Sequence, residues 1–322
     1  MHFRDTLHEP CKTDMEKIPT SAQINSLFAN SDPELVWAKA TDIISRISPD
    51  YDSALVRIVF DNVLRVFRGQ YPGYGPIKTL YHDLRHTLDV FLCALRLMHG
   101  VHISGIQQSD NNITLVMIAT LMHDIGYVQR LGEESGTGAQ YTQTHVKRGV
   151  EFMRAYFAER RFPSGFADTL EPIMISTDPE LQFFQINFPD DTTRLLSQIV
   201  GTADLTGQMA DRTYLEKLLF LYLEFKEAHF GSYQNTYDML RQTRAFYETT
   251  REKLDTVYDG IYSCLSLHFR ESLGIEKNYY LDSIEKNIDY LSKVIALNEA
   301  EYLSMLKRGG IVEQSRAIAV RA

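Results

Sequence analysis

Only three cysteines occur in the 322 residues, Cys11, Cys93 and Cys264, and no two of them form a CxxC pair. An odd, widely spaced set excludes a disulfide framework and reads as reduced thiols of a cytoplasmic protein. A basic excess is also lacking. The formal net charge of -9 at pH 7 argues against a broad nucleic-acid or anionic-membrane surface, though it leaves room for a small anionic substrate at a metal. Long apolar runs are missing too: the most apolar stretch, Ile113 to Met122, is far too short to cross a bilayer. The opening MHFRDTLHEPCK carries no apolar segment of the kind a secretion signal needs. No stretch alternates apolar and polar residues long enough for a sheet, and no internal repeat is visible.

What is present is helical periodicity. Residues 1–30 are polar and weakly periodic and read as a loose arm. Ser31-Asp32-Pro33-Glu34 carries capping-box chemistry, and Leu35, Val36, Ala40, Ile43, Ile44 and Ile47 follow at helical spacing. A second helix over 53–68 ends at Gly69. An apolar helix over 84–99 is ended by Gly100, and another over 113–124 is broken by Gly126. Residues 131–144 are Gly-rich and read as a flexible loop fit to be a lid. Further helices are expected near 145–158, 166–176, 192–210, 213–229, 235–272 and 278–305, and 306–322 as a frayed tail. The expectation is a compact all-α chain with one domain over 31–305; a hydrophobic fraction of 44% can fill its core. The aromatic-rich stretches 214–230 and 246–269 read first as core packing and second as a homodimer surface.

Two short stretches carry the chemistry, Tyr81-His82-Asp83-Leu84-Arg85-His86 and Met122-His123-Asp124-Ile125-Gly126. Imidazoles and carboxylates are the ligands that hold Zn, Mn, Fe or Mg. If helical, His82 and His86 share one face, so that one binds metal while the other exchanges a proton. His123-Asp124 closes an apolar helix, where a buried carboxylate demands a compensating cation. Ile199-Val200-Gly201-Thr202-Ala203-Asp204 ends another semi-apolar run in aspartate. His145 follows the Gly-rich loop, with Lys147 and Arg148 as candidate phosphate contacts. His99, His102, His229 and His268 read as structural.

The order His, His-Asp, Asp resembles the HD superfamily of metal-dependent phosphohydrolases, and most of all the catalytic domain of cyclic-nucleotide phosphodiesterases. Their Tyr/Phe-His-Asn-x-x-His-x-x-Asp-Val stretch is similar to Tyr81–Val90, their His-Asp to His123-Asp124, and their Thr-Ala-Asp to Thr202-Ala203-Asp204. The likeness runs from about residue 80 to 230, and the helical part 235–305 continues it more weakly. It implies a phosphodiesterase-like domain acting on a cyclic nucleotide or another small phosphate ester. It also implies two divalent metal ions (Mg, Mn, Zn or Fe). His86, His123, Asp124 and Asp204 would be ligands of one of them, with Asp124 bridging to the other. A hydroxide bridging the metals would attack phosphorus, and His82 would protonate the leaving alkoxide. His145 would bind the second metal or contact phosphate, and Asp83 and Asp178 would stand behind the ligands.

Asp83 stands where those phosphodiesterases have asparagine, and the Gln-x-x-x-Phe element that holds their purine has no counterpart in Tyr247–Leu254. The base is therefore unspecified. Two alternatives remain at this stage, an HD-type di-iron oxygenase and a nucleotide-binding signalling module without turnover.

Overall fold

Helix α1 (Pro33–Ile47) begins one residue later than a Ser31 cap implies. Asp32 has extended backbone, its carboxylate accepts from the N–H groups of Glu34 and Leu35, and Pro33 takes the first helical position, where no N–H is missed. Val36, Ala40, Ile43, Ile44 and Ile47 form the buried stripe, while Leu35 stays exposed. Helix α2 (Ala54–Phe67) stops before Gly69, whose φ of 68° suits a residue without a Cβ. The computed structural model describes residues 20–319 except 21–23, 25, 29, 134 and 164. Most of the expected arm, including Cys11, lies outside the described residues. Its described end is packed rather than loose: Phe28 meets the Tyr280 ring edge-on at 5.1 Å, and Asn30 donates to Asp89 at 2.7 Å.

Helices α3 (Leu84–Ile103) and α4 (Asp110–Met122) form the centre. Every residue of α3 from His86 to Val101 is buried, and α4 buries residues on all sides. Around them stand α5 (His145–Glu159), α6 (Phe166–Ile175), α7 (Asp191–Met209), α8 (Tyr214–Glu227) and α9 (Thr236–Thr256). Next come α10 (Leu265–Leu273), α11 (Tyr279–Ile295) and α12 (Ile311–Ala319). Among the described residues there is no strand, only an isolated bridge between Tyr74 and Arg130, so the all-α class is what the chain adopts. Helix α3 packs against α1, α4, α7 and α10. One cluster of buried apolar side chains runs from Val36 to Val312.

Three expected boundaries move. Gly100 does not end α3, which continues to Ile103. A Cβ there would lie 1.9 Å from the carbonyl oxygen of Cys264, so this glycine lets another backbone touch the helix. The single helix expected over 235–272 breaks after α9, because Asp259 and Gly260 both take positive φ (53° and 63°) and the chain enters a 3-10 turn, Ile261–Cys264. The tail is not frayed over its described part. It forms α12, which packs on α8 with Ile311 and Val312 buried. No helix among the described residues is long and apolar enough to cross a membrane. Cys93 and Cys264 are free thiols, and burial pushes the Cys93 thiol up to about 12, which leaves it inert.

Candidate metal centre

His86 owes its place to Asp83. The Asp83 carboxylate caps α3 by accepting the His86 backbone N–H at 2.8 Å, so this expected outer residue works by fixing the helix start. His82 lies before that start and does not share a helical face with His86. Its carbonyl instead accepts from the Thr79 hydroxyl at 2.7 Å, and the two imidazoles meet edge-on at 5.8 Å. His123 caps the end of α4, and its Nδ1–H donates to the Thr120 carbonyl at 2.8 Å. A carbonyl only accepts, so the proton sits on Nδ1 and Nε2 presents a lone pair.

The ligand atoms converge from three helices. His86 Nε2 and His123 Nε2 each lie 3.2 Å from Asp124 Oδ2 and 3.3 Å from one another. Asp204 Oδ1 of α7 lies 3.3 Å from His86 Nε2 and 3.6 Å from His123 Nε2. Close approach of α7 makes this possible: at Gly207, one turn beyond Asp204, a Cβ would already meet the α3 backbone at Val90 at 3.4 Å.

These residues fit a cation. Asp124 Oδ2 is buried without a hydrogen-bond partner, and His86, His123 and Asp124 each offer an atom to one point. Ligands bound at about 2.1 Å stand roughly 3.0–3.4 Å apart in octahedral or tetrahedral shells, the spacing found among His86, His123 and Asp124, with Asp204 Oδ1 slightly farther from His123 at 3.6 Å. Without metal, burial disfavours the His86 imidazolium, but the adjacent carboxylates of Asp124 and Asp204 override it and hold the group up at about 10. Burial likewise opposes the charge on Asp124, and the neighbouring imidazoles keep that carboxyl well below its usual range. So much charge gathered out of water is what a divalent ion offsets.

The other oxygen of Asp124 faces elsewhere. Oδ1 lies 3.5 Å from His145 Nε2, whose Nδ1–H donates to the Thr142 carbonyl at 2.6 Å. The two oxygens of Asp124 thus address different imidazoles, as a carboxylate between two cation positions would. Burial pulls the His145 imidazole down, leaving a neutral ring that suits ligation. A Cβ on Gly126 would fall 1.8 Å from the His145 carbonyl oxygen, so the turn after α4 sits directly on α5.

Two further residues at the site escape sequence reasoning. The Glu224 carboxylate receives His82 Nδ1 at 2.7 Å, and its other oxygen accepts the Leu80 and Tyr81 N–H groups at 2.6 Å each. A lone acid inside the apolar run Leu218–Phe225 was the available signal. Tyr127 stacks on His82 at 4.8 Å and on His145 at 4.6 Å, with those two rings 6.2 Å apart. Rings on opposite faces of the tyrosine would stand about 7 Å apart or more, so both imidazoles rest on one face.

Other candidates are not brought to the cluster. Asp178 accepts the Glu180 N–H within its own turn. The Arg148 guanidinium is taken up by the Gly126 and Val128 carbonyls and the Tyr141 ring, not left for phosphate. The 131–144 loop is tied down rather than lid-like: Gln129 donates to the Glu133 and Ser135 carbonyls, and Glu227 accepts from Thr137 at N and Oγ1.

A family model described as Npun_R2479-like matches residues 74–135 and 130–268, well over half of the chain. That span holds His82, His86, His123, Asp124, His145, Asp204 and Glu224. No curated protein matches the chain.

Proposed function

The chain belongs to the Npun_R2479-like family, and we propose that it is a metal-dependent phosphohydrolase of the HD type, resembling in its motifs a phosphodiesterase acting on a nucleotide or another small phosphate ester. The observation that carries this is a buried, unpartnered carboxylate oxygen facing two imidazole nitrogens, beside a third imidazole held by its own acid.

His86, His123, Asp124 and Asp204 would hold one divalent cation, and Asp124 Oδ1 with His145 would serve a second. Cations bound there supply charge neutralisation at phosphorus and acidify a water into a nucleophile at neutral pH. The chain's own residues do the rest. Asp124 orients both cation positions at once. His82 gives Nδ1–H to Glu224, which leaves Nε2 to pass a proton to the departing alkoxide, and the Glu224 carboxylate holds the ring in that orientation. Tyr127 keeps the His82 ring from turning away.

The oxygenase alternative requires further histidines around the second position. Among the described residues His145 is the one imidazole that pairs with Asp124 Oδ1. Purified protein, reconstituted separately with Mg, Mn, Fe and Zn, is to be assayed on cyclic nucleotides, dinucleotides, nucleoside phosphates and a chromogenic phosphodiester. Release of phosphate or monoester with at least one metal is the expected result. Oxygen uptake by the iron form without hydrolysis, or tight nucleotide binding without turnover under any metal, overturns the proposal.

A further inference from the structure

We infer that Lys253 is the cation that receives the substrate's anionic group beside the metal centre; this rests on the phosphohydrolase reading above. Lys253 stands in the last turn of α9, where its carbonyl accepts the N–H groups of Val257 at 2.9 Å and Tyr258 at 3.1 Å. The chain is thereby folded back so that the Tyr258 ring lies 5.3 Å from the Lys253 ammonium. Tyr258 is itself buried and fixed. Its hydroxyl donates to the Ser176 carbonyl at 3.3 Å, and its ring rests on Gly201 of α7, where a Cβ would lie 2.5 Å from the hydroxyl. Gly201 is one helical turn before Asp204, so the lysine is seated on a ring that touches the ligand-bearing helix.

The carboxylates whose charges act on Lys253 are Asp204 and Asp178, yet among the described residues none comes within 4.0 Å of its Nζ. A half-buried ammonium is usually paired, because leaving water without a partner is costly. Its neighbours by type are paired: Lys217 meets Asp211 at 3.1 Å, and Lys39 donates to Asn30 at 3.0 Å. The arginines around the centre are committed as well, Arg85 to Asp211 at 2.9 Å and Arg148 to backbone carbonyls. In a chain of net charge -9, whose site gathers Asp124 and Asp204, an anionic substrate needs a protein cation, and Lys253, seated on the ring that rests against α7, is placed to be one. A phosphoryl oxygen would complete the pair that Asp204, engaged with a metal, does not.

The test uses full-length, manganese-loaded protein and inorganic phosphate as the probe, with affinity read by calorimetry and metal content by elemental analysis. Lys253→Gln is expected to weaken phosphate binding about tenfold or more, as loss of a charge-assisted hydrogen bond predicts. Metal content and the helical circular dichroism should be unchanged. Lys253→Arg should retain most of the affinity. On a chromogenic phosphodiester the Gln variant should raise KM more than it lowers kcat. Undiminished phosphate affinity in a folded, metal-replete Gln variant overturns the role of Lys253 alone. A wild-type protein that takes up no metal, or binds no phosphate when loaded, overturns the phosphohydrolase reading and this assignment with it.

Discussion

Asp124 is the residue on which most of the site depends, because one of its oxygens faces His86 and His123 and the other faces His145. Asp124→Ala is expected to abolish metal uptake, and full occupancy by elemental analysis in that variant would refute the ligand assignment. His82→Ala should keep its metal and lose roughly 10²–10⁴-fold in turnover, the range for removal of a general acid. Glu224→Gln should also keep metal while losing about 10- to 100-fold, as when an imidazole loses the partner that orients it. Undiminished turnover in a folded, metal-replete Glu224→Gln protein would make Glu224 merely structural. The His/Asp cluster was legible in the sequence because histidine beside aspartate at the end of an apolar run has few physical uses other than holding a cation. Glu224 and Tyr127 were not, because their partners are set by how helices pack, with 142 residues separating Glu224 from His82.

At the scale of elements, glycine was the ambiguous letter. Gly69 ends a helix as expected, whereas Gly100, Gly126 and Gly207 mark places where two backbones or helices touch. A sequence offers the same residue for a turn and for a close contact, so Gly100 was read as a stop inside what is one helix. Gly126→Ala tests the contact reading. Its Cβ cannot be accommodated without moving the first turn of α5, so a loss of about 1–3 kcal/mol is expected by denaturant unfolding. Weakened metal binding should accompany it, because that turn carries His145. Wild-type stability and affinity together would show that α5 does not need this seat. Helix starts were easier to foresee than ends, since side-chain caps such as Asp32 are local chemistry, whereas the break at Asp259-Gly260 depends on where α10 must lie.

The whole molecule answers to pH through a pair of histidines away from the His86, His123 and Asp124 cluster. His99 Nδ1 and His268 Nδ1 are 2.9 Å apart, buried between α3 and α10. Burial, with Arg96, His99 and Arg46 adding to it, brings the His268 imidazole down to about 2. His99 is lowered by burial too, against the opposing charge of Glu271. The His268 ring is therefore neutral when folded, whereas in the unfolded chain it protonates near pH 6.5. The His268 contribution to stability is fully present above about pH 6.5 and is lost as pH falls below it, by about 1.4 kcal/mol per pH unit, and the lowered His99 adds in the same direction. Asp89 acts with the opposite sign: burial and the charge of Asp211 push its carboxyl up to about 6, so it takes up a proton first in the folded state. Comparing wild type with His268→Gln by urea unfolding between pH 7.5 and 5 isolates the histidine. The variant should show the shallower acid slope, and parallel slopes would exclude the pair as a source of acid sensitivity. The all-α class was legible at this scale, since periodicity at 3.6 needs no tertiary knowledge. The packing of the described end of the arm and of the tail was not, because Phe28 and Ile311 find their partners on distant helices.

The aromatic ring beneath His82 and His145 has one more consequence. Because both imidazoles lean on the same side of Tyr127, the 6.2 Å between the His82 and His145 rings is a dimension of the scaffold, not an adjustable property of either histidine. Replacing that tyrosine would therefore disturb both rings at once, whereas a change at either histidine would leave the other on its support.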